Sequence, residues 1–321
     1  MTLRPVLVFD AVLAATLPLL AWRVVAAPTL QKGIVLFIAL GLLSALAWAR
    51  LDAVDVALVE AAVGSGLTGA LLMSALAWAE PDHARTVEAP SPPSRVALRR
   101  VMGRAALGAL FVWLGWTVIG LPSPGEGLRA VVDANIDPGG VRHPVTAVLL
   151  DFRGYDTLIE VAVLVVAAVA IRQVQRVRRE SASPPPDLLG PLVNILVPIS
   201  IVTAGYLVWV GSHAPGGAFQ AGAILAGSGV VLLLSSRIAP PRLWLPTRAT
   251  LVLGPAAFLA LAAAPLLVGG RMLEYPRAWT SHLVLALEVA LSISIALILV
   301  LFFPGPPPER AAPAPDRGEP P

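Results

Sequence analysis

Carboxylates stand inside runs that are otherwise apolar, where an ionised group costs about 3 kcal/mol at a helix centre on insertion scales and therefore faces protein or water. Glu60 ends the string Asp55-Val-Ala-Leu-Val-Glu60 and is followed by Gly64, Gly66 and Gly69. Small residues at that spacing let a second helix approach closely and permit a local irregularity of the helix. Asp52 and Asp55 already mark the edge of this run, so Glu60 lies a turn or more inside it instead of merely marking a helix end. Asp156 and Glu160, four apart in Asp151-Phe-Arg-Gly-Tyr-Asp-Thr-Leu-Ile-Glu160, share one face of a continuous helix. Two such groups can pass a proton between them or hold a hard cation such as Na⁺ through oxygen, with Arg153 as a counter-charge that moves between partners. Asp151 and Arg153 fit a second role equally well, a polar cap at the external interface, with Gly154 permitting a bend and Thr157 starting the span. Glu288 is about a third of the way into the last run, before Ser292 and Ser294, where no boundary accounts for it. It serves ion traffic or a buried pair. His213, in Gly211-Ser-His-Ala-Pro-Gly-Gly217, can titrate near neutral pH and relay protons, although a lone loop histidine is more often a structural hydrogen-bonding residue. Asp10, near the start of the first run, reads as interfacial.

Other chemistries find no residues to carry them. The chain has no Cys, which excludes disulfides, thiolate metal sites, iron–sulfur ligation and Cys nucleophiles within it. No Ser/His/Asp constellation, phosphate-cradling glycine loop, metal-binding His pair or cofactor signature stands out. The expectation is a chain that is not an enzyme and binds no cofactor or resident metal.

The elements that must hold these acids are membrane helices. Of 321 residues, 57% are hydrophobic and 13% charged, and mean hydropathy is +0.79, more apolar surface than an aqueous globule can hide. Runs of the length needed to cross hydrocarbon lie at Val6 to Ala26, Leu30 to Ala49, Val56 to Ala79, Val101 to Gly120, Val145 to Ile171, Pro191 to Gly211, Ala218 to Ser236, Ala249 to Val268 and His282 to Phe303. The expected fold is an all-α polytopic transmembrane bundle of about nine spans. The first run, with Asp10 in its apolar core and Arg23 before Ala26-Ala27, reads as a retained span and not a cleaved signal. Proline-bearing linkers at Glu80 to Arg100 and Arg172 to Pro191 divide the chain into modules 1–80, 96–175 and 190–303. A Pro-rich tail, 304–321, is expected to be disordered. With the Arg172, Arg176, Arg178 and Arg179 cluster in the cytoplasm, sixteen of the 23 Arg and Lys residues fall inside, which favours an outside N-terminus and a cytoplasmic C-terminus. A net charge of +3, scattered over short loops, offers no nucleic-acid surface.

The order of modules resembles the membrane subunits of Mrp-type (Mnh) Na⁺/H⁺ antiporters and the related membrane-bound hydrogenases. Residues 1–80, through Asp55-Val-Ala-Leu-Val-Glu60-Ala-Ala-Val-Gly-Ser-Gly-Leu, look like the hydrogenase D-type subunit. Residues 96–175, through Leu150-Asp-Phe-Arg-Gly-Tyr-Asp-Thr-Leu-Ile-Glu160, look like the E-type subunit, and the two together are similar to the C-terminal extension of the large A-type antiporter subunit. Residues 190–303 resemble the B-type antiporter subunit, with Ser212-His213-Ala214 where that family usually has Gly-His-Asn, and Glu288 where it commonly has Asp. The resemblance implies acids important for ion transfer at Glu60 and Glu160. It also implies hetero-oligomeric partners in a cell membrane: other antiporter or hydrogenase subunits, with Na⁺ and H⁺ as cargo. A structural adaptor that docks a redox arm to an antiporter module is the competing expectation.

Overall fold

The structure, a computed structural model, describes residues 3–79, 94–122, 127–139, 141–174, 189–241, 244–276 and 278–303. Most of both expected linkers and the whole of the expected disordered tail lie outside these residues. Every regular element among the described residues is helical. Among the described residues eight helices are long and apolar enough to cross a membrane, and a further one, Ala218–Leu234, is apolar but shorter. The chain is an all-α, multi-pass membrane protein.

Two units are distinguished, Met1–Glu80 with Asn135–Pro321, and Pro81–Ala134. The smaller carries α5 (Ser94–Ile119), the fourth expected span, and the first residues of α6 (Arg129–Gly139). Hydropathy predicts no helix at α6, because its polar, mixed sequence carries too little apolar length to register as a span.

In the larger unit α1 (Leu3–Val25) and α2 (Leu30–Arg50) form a hairpin, whose facing sides carry a forked pair of hydrogen bonds from Arg50 to Asp10, at 2.8 and 2.9 Å. Asp10 therefore has a partner on the next helix. The third run is α3 (Val54–Val59), a π-helical segment Glu60–Leu67, and α4 (Thr68–Ala79), all packed on α2. The fifth run is broken into α7 (Pro144–Ala147), a π-helical segment Val148–Phe152 and α8 (Gly154–Val174). Then come α9 (Leu189–Val210), α10 (Ala218–Leu234), α11 (Leu245–Ala263), a 3₁₀ segment Ala264–Val268, and α12 (Thr280–Phe302).

α12 is the axis of this unit and packs against α8, α9, α10 and α11. It is apolar on every side, the pattern of a helix surrounded by other helices, and Val284, Leu291, Ile295 and Ile298 are fully buried. Small residues set its close contacts: a Cβ at Gly254 of α11 would stand 3.0 Å from that of Ser294. The Ser294 hydroxyl donates to the Leu251 carbonyl of α11 at 2.6 Å, a bond lipid cannot offer.

Candidate functional site

Glu60 opens the first π-helical segment. In such a segment the i−4 register is lost and carbonyls are left over, and here side chains take them up. Ser65 donates to Glu60 O (2.9 Å) and Thr68 to Val63 O (2.7 Å), each five residues back. The Glu60 carboxylate folds over Gly64, where a Cβ would stand 2.6 Å from Oε1, and towards Gly41 of α2, where the distance would be 3.2 Å. The glycines are the room in which this acid lies, half-buried between its own helix and α2.

The Asp151-to-Thr157 string makes the second interruption. Arg153 N donates to Val148 O at 2.8 Å, and the carbonyls freed there are met by Thr157 (to Leu149 O, 2.7 Å) and by the Tyr275 hydroxyl (to Leu150 O, 3.2 Å). Gly154 restarts the helix against Phe258, whose Cζ would be 3.0 Å from a Cβ at that position. Arg153 is ion-paired with Asp156 beside this break, so Asp156 faces Arg153 and does not line the cavity that Glu160 lines. Asp151 is half-buried. Burial pushes the Tyr275 phenol up to about 12, with the Asp151 charge adding to it. A phenol whose folded value exceeds its unfolded one favours folding below about pH 10, and that contribution is lost as pH rises to about 12. Tyr275→Phe removes the bond to Leu150 and is expected to cost about 1 kcal/mol, read as a lower thermal midpoint of the purified protein at pH 7 and a difference that shrinks as pH rises above about 10.

Glu160 and Glu288 meet at one cavity of about 400 Å³. Its walls come from α3 (Asp55, Val59), α7 and the segment after it (Thr146, Leu149), α8 (Thr157, Glu160), the start of α10 (Gly217, Gln220) and α12 (Glu288, Leu291). Glu160 is exposed on the chain's own surface, whereas Glu288 retains 2% exposure. Glu288 Oε2 is buried without a hydrogen-bond partner among the described residues. Its Oε1 faces the 211–217 loop, at 3.1 Å from a Cβ placed on Gly211 and 2.9 Å from one on Gly217. A carboxyl with an unused oxygen, beside a cavity walled mainly by apolar groups, can take up a proton or a cation there.

The loop is held by residues that the sequence alone does not single out as functional. Asp55 Oδ1 accepts from Gly216 N (3.0 Å) and from the Gln220 amide (3.3 Å), and Oδ2 lies 3.4 Å from His143 Nε2. Thr146 donates to Gly211 O at 2.5 Å, and Arg142 N and His143 N both reach Ser212 O. Asp55 reads in the sequence as an edge marker, and His143 lies in a polar stretch with no motif; only His143-Pro144 before an apolar run hints at a helix start. His213 is exposed, with Nδ1 3.1 Å from Ser212 Oγ, and lies off the cavity. Glu60 also lies outside the cavity's lining.

Matches to known families follow the chain in order: residues 15–81 to MbhD and 98–186 to MbhE, the D and E subunits of MBH, and 188–303 to a domain related to the MnhB subunit of Na⁺/H⁺ antiporters. The chain is a fusion of MbhD-, MbhE- and MnhB-type domains. Over 213 residues, 57% of its length, the fusion is 26% identical to a probable K(+)/H(+) antiporter A/B subunit of Rhizobium meliloti (strain 1021), and it spans only 21% of that protein. The Mrp complex from Dietzia sp. DQ12-45-1b contains a chain of the same fold, with TM-score 0.69 and 22% identity over 94% of the fusion and 35% of that chain. A chain of the membrane-bound sulfane sulfur reductase, an archaeal respiratory membrane complex, matches 64% of the fusion and 96% of its own length, with TM-score 0.55 and 20% identity. The cavity draws on all three domains: Asp55 comes from the MbhD-type part, Glu160 from the MbhE-type part and Glu288 from the MnhB-type part.

Proposed function

We propose that this fusion is a membrane component of a multi-subunit monovalent cation (Na⁺ or K⁺)/proton antiporter, with the N-terminus outside and the C-terminus cytoplasmic in the cell membrane. Its partners are the other membrane subunits of that complex. The observation that carries the reading is the joint cavity, where acids from all three domains converge and one of them, Glu288, keeps an oxygen free. Cations and protons compete for the same carboxylate oxygens, so that loading one releases the other. Glu60, lodged between α2 and its π-helical segment, supplies a separate acid on the route, and Asp151, Arg153 and Asp156 order its outer end.

The test is cation-driven proton movement in everted vesicles carrying the assembled complex, followed with a ΔpH dye on adding Na⁺ or K⁺. Omitting the fusion is expected to abolish the response. Glu288→Gln is expected to slow it several-fold with the complex at wild-type level, since Glu160 still lines the cavity; a wild-type rate with either cation counts against the role given to Glu288. The likeness to the sulfane sulfur reductase chain supports a second reading, a coupling component of a redox-driven complex. Co-purification from native membranes decides between them, since it brings down large antiporter subunits in one case and a redox arm in the other.

A further inference from the structure

Asp55 and His143 are largely shielded from water, with side-chain exposures of 14% and 11%, and Asp55 borders the cavity. Their hydrogen bonds can be accounted for completely. Asp55 Oδ1 has two donors, the Gly216 N–H and the Gln220 amide. On the far side of the imidazole, Nδ1 lies 3.4 Å from Thr146 Oγ1, and Thr146 Oγ1 lies 2.5 Å from Gly211 O. A carbonyl only accepts, and a hydroxyl has one hydrogen, so Thr146 gives its hydrogen to Gly211 and accepts from His143. Nδ1 therefore carries a hydrogen. The other ring nitrogen, Nε2, is 3.4 Å from Asp55 Oδ2. Were both of these atoms bare, two lone pairs would confront each other in a nearly dry site, which a low local dielectric makes costly.

We propose that Asp55 and His143 hold one proton between them and form a proton-exchange site on the rim of the cavity that Glu160 and Glu288 share. The proton rests on Nε2, because an aspartic carboxyl is ordinarily the stronger acid of the two. With it the pair is imidazolium and carboxylate, neutral in sum. When Nε2 gives it to water, a neutral imidazole and a carboxylate remain, with a net charge of −1; uptake is the reverse. The titratable groups around the pair are Glu288 on α12 and Glu160 on α8 across the cavity, exposed Arg142 beside His143, and exposed His213 on the loop. A monovalent cation entering beside the two glutamates favours the form with charge −1 by simple attraction, so the pair releases its proton as the cation arrives. Gln220 donates to Asp55 Oδ1, and its own Oε1 borders Gly217 together with Glu288 Oε1, at 3.7 and 2.9 Å from a Cβ placed there. The exchange role rests on the antiporter reading, whereas the shared proton rests on the hydrogen bonds alone.

The whole complex, labelled with ¹⁵N-histidine, tests the proton directly by solid-state NMR. At neutral pH one signal is expected with both ring nitrogens protonated, absent from His143→Gln and converted to a neutral ring in Asp55→Asn. A neutral His143 ring in the wild type overturns the proposal. If His143→Gln does not assemble, Asp55→Asn makes the same comparison, and an imidazolium that persists in it overturns the pairing. The exchange role is read in vesicles: His143→Gln or Asp55→Asn is expected to displace the pH profile of cation-driven proton movement, and an unmoved profile in assembled complex overturns it. Wild-type vesicles with no exchange at all reject the antiporter reading and the exchange role together, and leave the NMR result standing by itself.

Discussion

Glu160→Gln is expected to reduce cation/proton exchange to background in vesicles while the complex migrates at wild-type level on a native gel. Gln keeps the shape of Glu and its capacity to hydrogen-bond but cannot gain or lose a proton at neutral pH, nor balance a cation's charge. Two magnitudes separate the transport role from a structural one. Glu160 is exposed on this chain, and a surface substitution that breaks no buried contact changes stability by about 0.5 kcal/mol or less, too little to remove a complex from the membrane. If the carboxylate is instead a buried ion-pair partner of a neighbouring chain, removing it strands a charge and costs about 3–5 kcal/mol, and the complex disappears from the gel. The same substitution at Glu60 is expected to behave likewise: the pocket formed by Gly41 and Gly64 accommodates an amide as readily as a carboxylate, so any loss of exchange there reports charge and not fit. Full activity in both variants would remove the ion-pathway role of these acids.

The spans are legible in the sequence because a run of some twenty apolar residues has one stable arrangement in lipid. The glycines after Glu60, and Gly154, mark where an irregularity is permitted, but the form it takes is not legible. The residues of Val54 to Ala79 do not fix a π register, since it depends on which carbonyl each N–H finds once Gly41 of α2 has packed against Glu60 and Ser65; Ser65 and Thr68 give a faint hint, as hydroxyls placed to reach back five residues. Helical spacing correctly places Asp156 and Glu160 on one helix but does not show that Arg153 takes Asp156 for itself. Glu160 and Glu288 lie 128 residues apart, and only the packing of α8 against α12 brings them to one cavity. Asp55 reads as a mere edge marker for the same reason that it matters. Hydropathy locates it at the end of a run, and it is at such an end that a side chain can tie one domain to the loop of another.

Gly217→Val is expected to abolish the folded protein and with it assembly. Gly217 has φ +114° and ψ −170°, a region open essentially to glycine, and its N–H closes the loop by donating to Leu207 O at 2.9 Å. A β-branched residue there costs about 1–3 kcal/mol in backbone strain before any contact is counted. Its Cβ would also stand 2.9 Å from Glu288 Oε1, so the buried carboxyl would have to give way towards the cavity it lines. On the far side, Gly211 leaves no space, since a Cβ on it would lie 2.8 Å from the Gly217 Cα. The loop therefore cannot yield by shifting towards α9. Gly227→Ala on α10 is the control: a Cβ there meets nothing within 4 Å, and the change should leave assembly intact or strengthen it slightly by stiffening the unfolded chain. The amount of assembled complex on a native gel, together with its thermal midpoint, separates the two variants. Normal assembly of Gly217→Val with unaltered exchange would mean that the glycines neither shape the loop nor keep room for the Glu288 carboxyl.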